Sequence, residues 1–364
     1  MSVNEYPSRR TGVLSMSSLL SGYHLGVSMG LFLAAACVIG FFGIRMTYLA
    51  RELAVVTGLG EAFTGAVLVG ATTSLSGIIA SATSAWQGEA SLAISNSLGG
   101  IAAQTLFLVV GDLLYRKYNL EFAAASVENM MMSVQLMILL CILLLAFSLP
   151  DLSVFAIHPA SVILVFAYLY TLKLLVDTHE KPMWLPRMEH GTIRDSQQRV
   201  PRVGLSRSAL LLRFGFCACV VGLSGWLIAE SGIAIVEQTG FSAGLMGGIF
   251  MAVSTSLPEL VVAVTAIRMG ALTLAVGDII GGNAFDTLFV AISDFFDRSG
   301  SIYTDILHTE RVWLAAAMIM NAVLLMGLMY RERKGIANIG MESVLILLIY
   351  AGTVAYLAIS STAG

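Results

Sequence analysis

Apolar residues fill this chain in runs of about 20, the length a helix needs to cross roughly 30 Å of hydrocarbon. Ten such runs are read, at 27–49, 61–86, 90–115, 129–149, 154–176, 209–236, 243–267, 272–296, 312–330 and 341–360. Glycine or proline interrupts several of them. One long polar segment, "DTHEKPMWLPRMEHGTIRDSQQRVPRVGLSR" at 177–207, divides the runs into two sets of five. The pattern predicts an all-α membrane protein with four parts: an N-terminal tail (1–26), a five-helix unit (27–176), a cytoplasmic loop (177–208) and a second five-helix unit (209–360).

Composition supports a bilayer solvent. Only 12% of the 364 residues are charged and 57% are hydrophobic, whereas a soluble domain carries about 25% charge. A net charge of −3 gives no reason to expect a nucleic-acid partner. The four cysteines, Cys37, Cys141, Cys217 and Cys219, lie in apolar runs without metal-ligand spacing and are expected to be buried thiols at helix contacts. The start "SRRTGVLSMSSLL" has too short an apolar run for a signal segment and is read as part of the tail.

Basic residues set the orientation. With the central loop in the cytoplasm, that side holds Arg45, Arg51, Arg116, Lys117, Arg268, Arg331, Arg333, Lys334 and the eight basic residues from Lys173 to Arg213. The opposite side keeps only Arg9, Arg10, Arg298 and Arg311. Both termini are therefore expected outside the cytoplasm, with the chain in the plasma membrane of a cell.

An internal repeat shapes the architecture. At an offset of 182 residues, 57–112 falls on 239–294 without a gap, with 17 identities in 56 positions. Polar positions take part: Thr73 meets Thr255, Ser74 meets Ser256 and Asp112 meets Asp294. Five spans per unit is an odd number, so the second unit must enter the membrane from the opposite face. Ten transmembrane helices in two inverted five-helix repeats are expected, with a midplane site where the units meet and alternating access as the mode of transport.

The chemistry is concentrated in "STSLPEL" (254–260). Pro258 has no N–H to give the Ser254 carbonyl, and an unpaired carbonyl in hydrocarbon costs several kcal/mol unless protein, water or a cation meets it. Hydroxyls of Thr255 and Ser256 and the carboxylate of Glu259 crowd the same place. Carbonyl, hydroxyl and carboxylate oxygens are the hard ligands that Na⁺ and Ca²⁺ prefer. A plain proline kink beside a protonated, hydrogen-bonded glutamate is the alternative. The partner element "GDIIGGNAFDTLF" (277–289) brings Asn283 and a second intramembrane acid, Asp286, after a Gly281–Gly282 pair expected to allow close approach or a helix break. Asp278 either lines the approach or complements the helix dipole.

In the first unit, Ser76 and Gly77 stand where the second has Pro258 and Glu259, and Gln104 stands where it has Asp286. Thr73 and Ser74 keep the hydroxyls. This half is polar and uncharged.

Hydroxyls before "LPE", then "GDIIGGN..D", in two five-helix halves, resemble the Ca²⁺:cation antiporter superfamily, which includes the Na⁺/Ca²⁺ exchangers. The resemblance runs from about 28 to 360. It implies a central site for transported cations (Ca²⁺, Na⁺ or H⁺) with Glu259 and Asp286 as acidic ligands. Thr255 and Ser256, together with Thr73, Ser74 and Gln104 of the first half, match family ligand positions. Two departures stand out. The glutamate usual in the first repeat is Gly77, and the serine of the family's "GSN" element is Gly100 in one copy and Gly282 in the other.

Secondary antiport of Ca²⁺ or another cation against Na⁺ or H⁺ is the expected function. A monovalent cation/proton exchanger, or a non-transporting relic with a structural or regulatory role, are the other readings. No nucleophile elbow, His-rich metal motif or phosphate loop suggests an enzyme, and no cofactor is expected. The lipid bilayer and inorganic cations are the implied partners.

Overall fold

The structure is a computed structural model that describes residues 16–57, 70–115, 117–180, 206–297, 300–333, 335 and 339–363. Expectations for the tail before residue 16, for 61–69 in the second span and for most of the central loop lie outside the described residues. Apart from one bridge between Val154 and Ile157, the described secondary structure is helical. A helix satisfies its own backbone, which lipid cannot do.

In the first half, α1 is Met16–Leu20, α2 Leu25–Thr57, α3 Gly70–Thr73, α4 Leu75–Trp86, α5 Ala90–Tyr115, α6 Leu120–Ala124, α7 Val127–Ala146 and α8 Pro159–Glu180. In the second, α9 is Arg207–Thr239, α10 Ala243–Thr255 with a π-turn at Met246–Met251, α11 Leu257–Arg268, α12 Leu272–Phe296, α13 His308–Tyr330 and α14 Met341–Ala363. A 3₁₀ turn, Ile302–Asp305, precedes α13. Seven of the described helices are long and apolar enough to cross a membrane, eight if the bent pair α10–α11 counts as one span.

The 182-residue offset recurs in the element limits. It carries Leu25–Thr57 onto Arg207–Thr239, Leu75–Trp86 onto Leu257–Arg268, and Leu120 onto Ile302. Gly88 and Gly270, which end the paired helices, both take φ of +81°, a conformation that a side chain would strain.

α5 and α12 run through the middle and are buried on most of their surface, whereas α2, α9 and α14 bury a third or less. Small residues make this possible. Gly99 of α5 meets the backbone of Gly248 in α10, and a Cβ on Gly225 of α9 would lie 2.5 Å from the Ser76 carbonyl. Apolar side chains gain little by leaving lipid for protein, so such close backbone contacts carry much of the packing. Gly99→Ala is expected to cost about 1–3 kcal/mol by overpacking, seen as a lower midpoint of thermal denaturation in detergent. Gly30→Ala, with open space around it, serves as the neutral comparison.

One sequence expectation needs correction, and one open alternative is decided. Cys37, Cys141 and Cys219 are exposed and only Cys217 is buried, since the outer helix faces meet lipid and do not require burial within protein. Of the two alternatives for Gly281 and Gly282, close approach holds: α12 continues unbroken, and each glycine sits close to a neighbouring side chain, Met132 and Gln104. Asp112 and Asp294, at corresponding helix ends, accept backbone N–H bonds from the connections that follow them, Leu120 to Asp112 at 2.9 Å and Ile302 to Asp294 at 3.1 Å.

Candidate cation site

Between α10 and α11 the chain bends by 48° at Ser256, and Pro258 occupies the first turn of α11. This is the break the proline predicted. A matching break separates α3 from α4 at Ser74, with φ −82° and ψ 1° against −96° and 10° at Ser256. No proline causes it, so the geometry comes from the packing of the paired elements.

The two breaks abut α5 and α12 at the centre of the bundle. Glu259 is 3% exposed and Asp286 1%. Asp286 accepts from Ser74 Oγ at 2.8 Å through Oδ1 and from Gln104 Nε2 at 2.6 Å through Oδ2. The same Gln104 amide donates to Ser256 Oγ at 3.1 Å. Gln104 and Asp286 are equivalent at the 182 offset, as are Ser74 and Ser256, so the two links are one contact seen twice with the donor exchanged. An acid accepts where an amide donates.

Glu259 is held by a hydrogen bond from Thr73 and lies within electrostatic reach of Asp286 and, less strongly, Asp278. Thr255 donates to the Met251 carbonyl at 2.9 Å and reaches Asn96 Oδ1 at 3.4 Å. Asn283 donates to Thr105 Oγ1 at 3.0 Å. Ser254 is buried one turn before the break, and no side-chain hydrogen bond ties it to this group. Thus Glu259, Asp286, Thr73, Ser74, Gln104 and Ser256 come together, while Thr255, Asn283 and Ser254 stand around them.

Three buried oxygens here accept no hydrogen bond: Glu259 Oε2, Gln104 Oε1 and Asn283 Oδ1. Leaving such atoms unmatched costs about 1–3 kcal/mol each, and more for a charged group. A cation is the natural partner for a set made only of acceptors.

Three positions, Ser97, Asn96 and Phe289, escaped the sequence reading, and Ser76 entered it only as the counterpart of Pro258. Ser97 donates to the Asp286 carbonyl at 2.6 Å, and Ser76 to the Thr255 carbonyl at 3.1 Å. Asn96, the offset equivalent of Asp278, binds the Gly77 carbonyl and Ser81 Oγ. Phe289 fills the place of the missing glutamate, since a Cβ on Gly77 would lie 2.5 Å from its Cε2. The repeat register pointed to Asn96, but nothing in the sequence pointed to Phe289.

The family pattern described as "Sodium/calcium exchanger protein" matches residues 27–176 and 208–359, which is most of the chain. The chain belongs to this family. Among curated relatives, one named as an antiporter, CaxA of Alkalimonas amylolytica, is 26% identical over 310 residues, covering 85% of this chain and 91% of the relative. The sodium/calcium exchanger MaX1 of Methanosarcina acetivorans is 33% identical over 105 residues, 29% of this chain and 30% of its own. Of solved structures, an H⁺/Ca²⁺ exchanger, CAX, superposes with a TM-score of 0.63 at 15% identity, covering 96% of this chain and 92% of that one. The sodium-calcium exchanger NCX_Mj gives 0.57 at 18% identity, with 91% and 99% covered. These structural likenesses establish a shared fold. The exchanger family comprises multi-pass membrane proteins that handle inorganic cations, and its named members here are transporters.

Proposed function

We propose that this protein is a secondary antiporter exchanging Ca²⁺ or another cation for Na⁺ or H⁺ at a midplane site whose acids are Glu259 and Asp286. One observation carries the reading. Two buried carboxylates and a set of acceptor-only oxygens meet where two helix breaks face two central helices. Thr73, Ser74, Gln104, Thr255, Ser256, Ser254 and Asn283 complete the proposed ligand set. On this reading the ten helices form two inverted repeats with both termini outside the cytoplasm, in the plasma membrane.

Charge arithmetic supports obligatory exchange. Two carboxylates neutralise one divalent cation, two Na⁺ or two H⁺. A neutralised centre passes an apolar barrier at low cost, whereas an empty dianionic one does not. The protein then changes which face the site opens to only when the site is loaded. An exchange of one divalent for two monovalent cations is electroneutral.

Gly77 and Phe289 favour this low-charge reading and keep monovalent-only exchange as the second one. The first repeat offers no acid, and an aromatic ring occupies its place. Flux into proteoliposomes under separate Na⁺ and H⁺ gradients, with Ca²⁺, Na⁺ or K⁺ as counter-ion, decides between them. Ca²⁺ uptake driven by one of the gradients is expected. Gradient-driven Na⁺/H⁺ exchange with no Ca²⁺ uptake supports the second reading, and no flux under any gradient rejects both.

A further inference from the structure

The 182 offset relates the two ends of the bundle, and the ends differ in one telling way. At one end Asp294 accepts from the backbone N–H of Ile302 at 3.1 Å and of His158 at 2.8 Å. At the other, Asp112 accepts from Leu120 at 2.9 Å and Gly340 at 2.8 Å. These backbone donors are offset equivalents, so the same backbone clamp is built twice, and Asp294 accepts in addition from the Ser161 and Ser301 hydroxyls at 2.8 and 2.9 Å.

Beside the first clamp stands Tyr303, whose hydroxyl accepts from Ser161 Oγ at 3.1 Å. Its equivalent beside the second is Glu121, and the equivalent of Ser161 is Ser343. Glu121 is 2% exposed, and neither of its carboxyl oxygens has a hydrogen-bond partner. Glu342 Oε2 is likewise buried and unmatched, as is the Ser343 hydroxyl. A Cβ on Gly340 would lie 3.0 Å from Glu342 Oε2 and 3.2 Å from Glu121 Oε2, so both carboxyls converge on the residue that Asp112 clamps.

We infer that Glu121 is a proton-binding site outside the transport centre, and that its proton holds the α5–α6 connection against the α13–α14 connection. Ionised, Glu121 would join Asp112 and Glu342 as a third buried carboxylate, with the Ser343 hydroxyl beside it but outside hydrogen-bonding geometry. Protonated, it is neutral and carries an O–H, as Tyr303 does at the opposite end. Asn119 completes the tie by donating to the Glu332 carbonyl at 2.8 Å and accepting from Gly335 N–H at 3.1 Å.

Asp112 of α5 and Glu342 of α14 are the charged groups acting on Glu121, Glu332 of the α13–α14 connection acts on Glu342, and Arg331 and Arg333 of that connection reach the adjacent Phe122. The two guanidinium groups lie over the Phe122 ring, at 5.2 and 5.9 Å from its centre. Tyr118 packs on the same ring and Lys117 is exposed on the α5–α6 connection. Burial first, then the charges of Asp112 and Glu342, push the Glu121 carboxyl up to about 8. A raised value means the tied arrangement binds a proton that the opened one releases. The tie is therefore strongest below the ordinary carboxylate value of 4.5, weakens as pH rises toward about 8, and levels off above it. On the orientation proposed above, the proton comes from the cytoplasm. The tie itself rests only on the structure.

Hydrogen–deuterium exchange of the purified full-length protein in detergent tests this without reference to transport. Peptides carrying Leu120 and Gly340, corrected for intrinsic pH dependence, should lose at least tenfold in protection between pH 5.5 and 8.5. Those carrying His158 and Ile302 should hold within about twofold. Glu121→Gln, which keeps the shape and cannot ionise, should abolish the pH dependence, and Glu121→Tyr should do the same by copying the other end. Equal profiles at the two ends of the wild-type protein, or a wild-type pH response retained in Glu121→Gln, would overturn the inference. If neither variant folds, the comparison of the two ends decides alone.

Discussion

Replacing Glu259 by glutamine is expected to abolish gradient-driven cation flux while leaving the protein folded. Glutamine keeps the length of the side chain and an oxygen that accepts from Thr73, so the break between α10 and α11 has no reason to change. What goes is one of the two negative charges at the centre. Breaking a buried charge pair costs about 3–5 kcal/mol, which is about two to four powers of ten in affinity. Removing an unmatched buried charge does not weaken the fold, so the thermal midpoint should stay level or rise. Proteoliposome flux and thermal denaturation measured on the same preparation check both halves. Asp151→Asn, at an exposed acid of the α7–α8 loop, gives the comparison. Flux within a few-fold of wild type in a folded Glu259→Gln protein would remove Glu259 from the site.

Restoring the lost acid is expected to change the electrical character of exchange. Gly77→Glu alone meets the Phe289 ring, since the first carbon of the new side chain would lie 2.5 Å from Cε2. Overpacking of this kind costs about 1–3 kcal/mol, so the single variant should be less stable. Gly77→Glu with Phe289→Ala opens the space and places a third carboxylate at the offset equivalent of Glu259. An exchange that ignores membrane potential in the wild-type protein should then respond to it, because the loaded site carries a different net charge. Flux under a potential clamped with K⁺ and valinomycin measures this, with Phe289→Ala alone expected to behave electrically as wild type. A folded double variant whose flux remains indifferent to potential would contradict the charge arithmetic.

The sequence made much of this legible because two physical rules are strong in a bilayer. Hydrocarbon forces long apolar runs, so helix positions were readable to within a few residues over most of the described chain. α2 and α9, at 33 residues each, run past the apolar stretches 27–49 and 209–236, since helix ends outside hydrocarbon need not be apolar. Hydrocarbon also makes an intramembrane acid costly, so Glu259 and Asp286 marked themselves. The ungapped repeat supplied Thr73, Ser74 and Gln104, which no single-residue argument would have chosen.

Other features depended on contacts between distant segments. Pro258 announces its own break, but the matching break at Ser74 has no local cause. Gly281 and Gly282 allowed either close approach or a break in sequence, and the neighbouring Met132 and Gln104 show that close approach in a continuous helix is the outcome. Glu121 was unremarkable in sequence, a lone acid in a short connection.

By itself, the sequence determined that the chain is helical and membrane-embedded, that its two halves repeat, and that Glu259 and Asp286 have the uncharged counterparts Gly77 and Gln104. These follow from local solvent chemistry and from register, both written along one dimension. Only the tertiary structure decided that Gln104 and Asp286 share a hydrogen bond, that Phe289 fills the space at Gly77, and that Glu121 lies unmatched beside Asp112 and Glu342. Those facts depend on which surfaces meet across 182 residues of separation, and packing in three dimensions sets them.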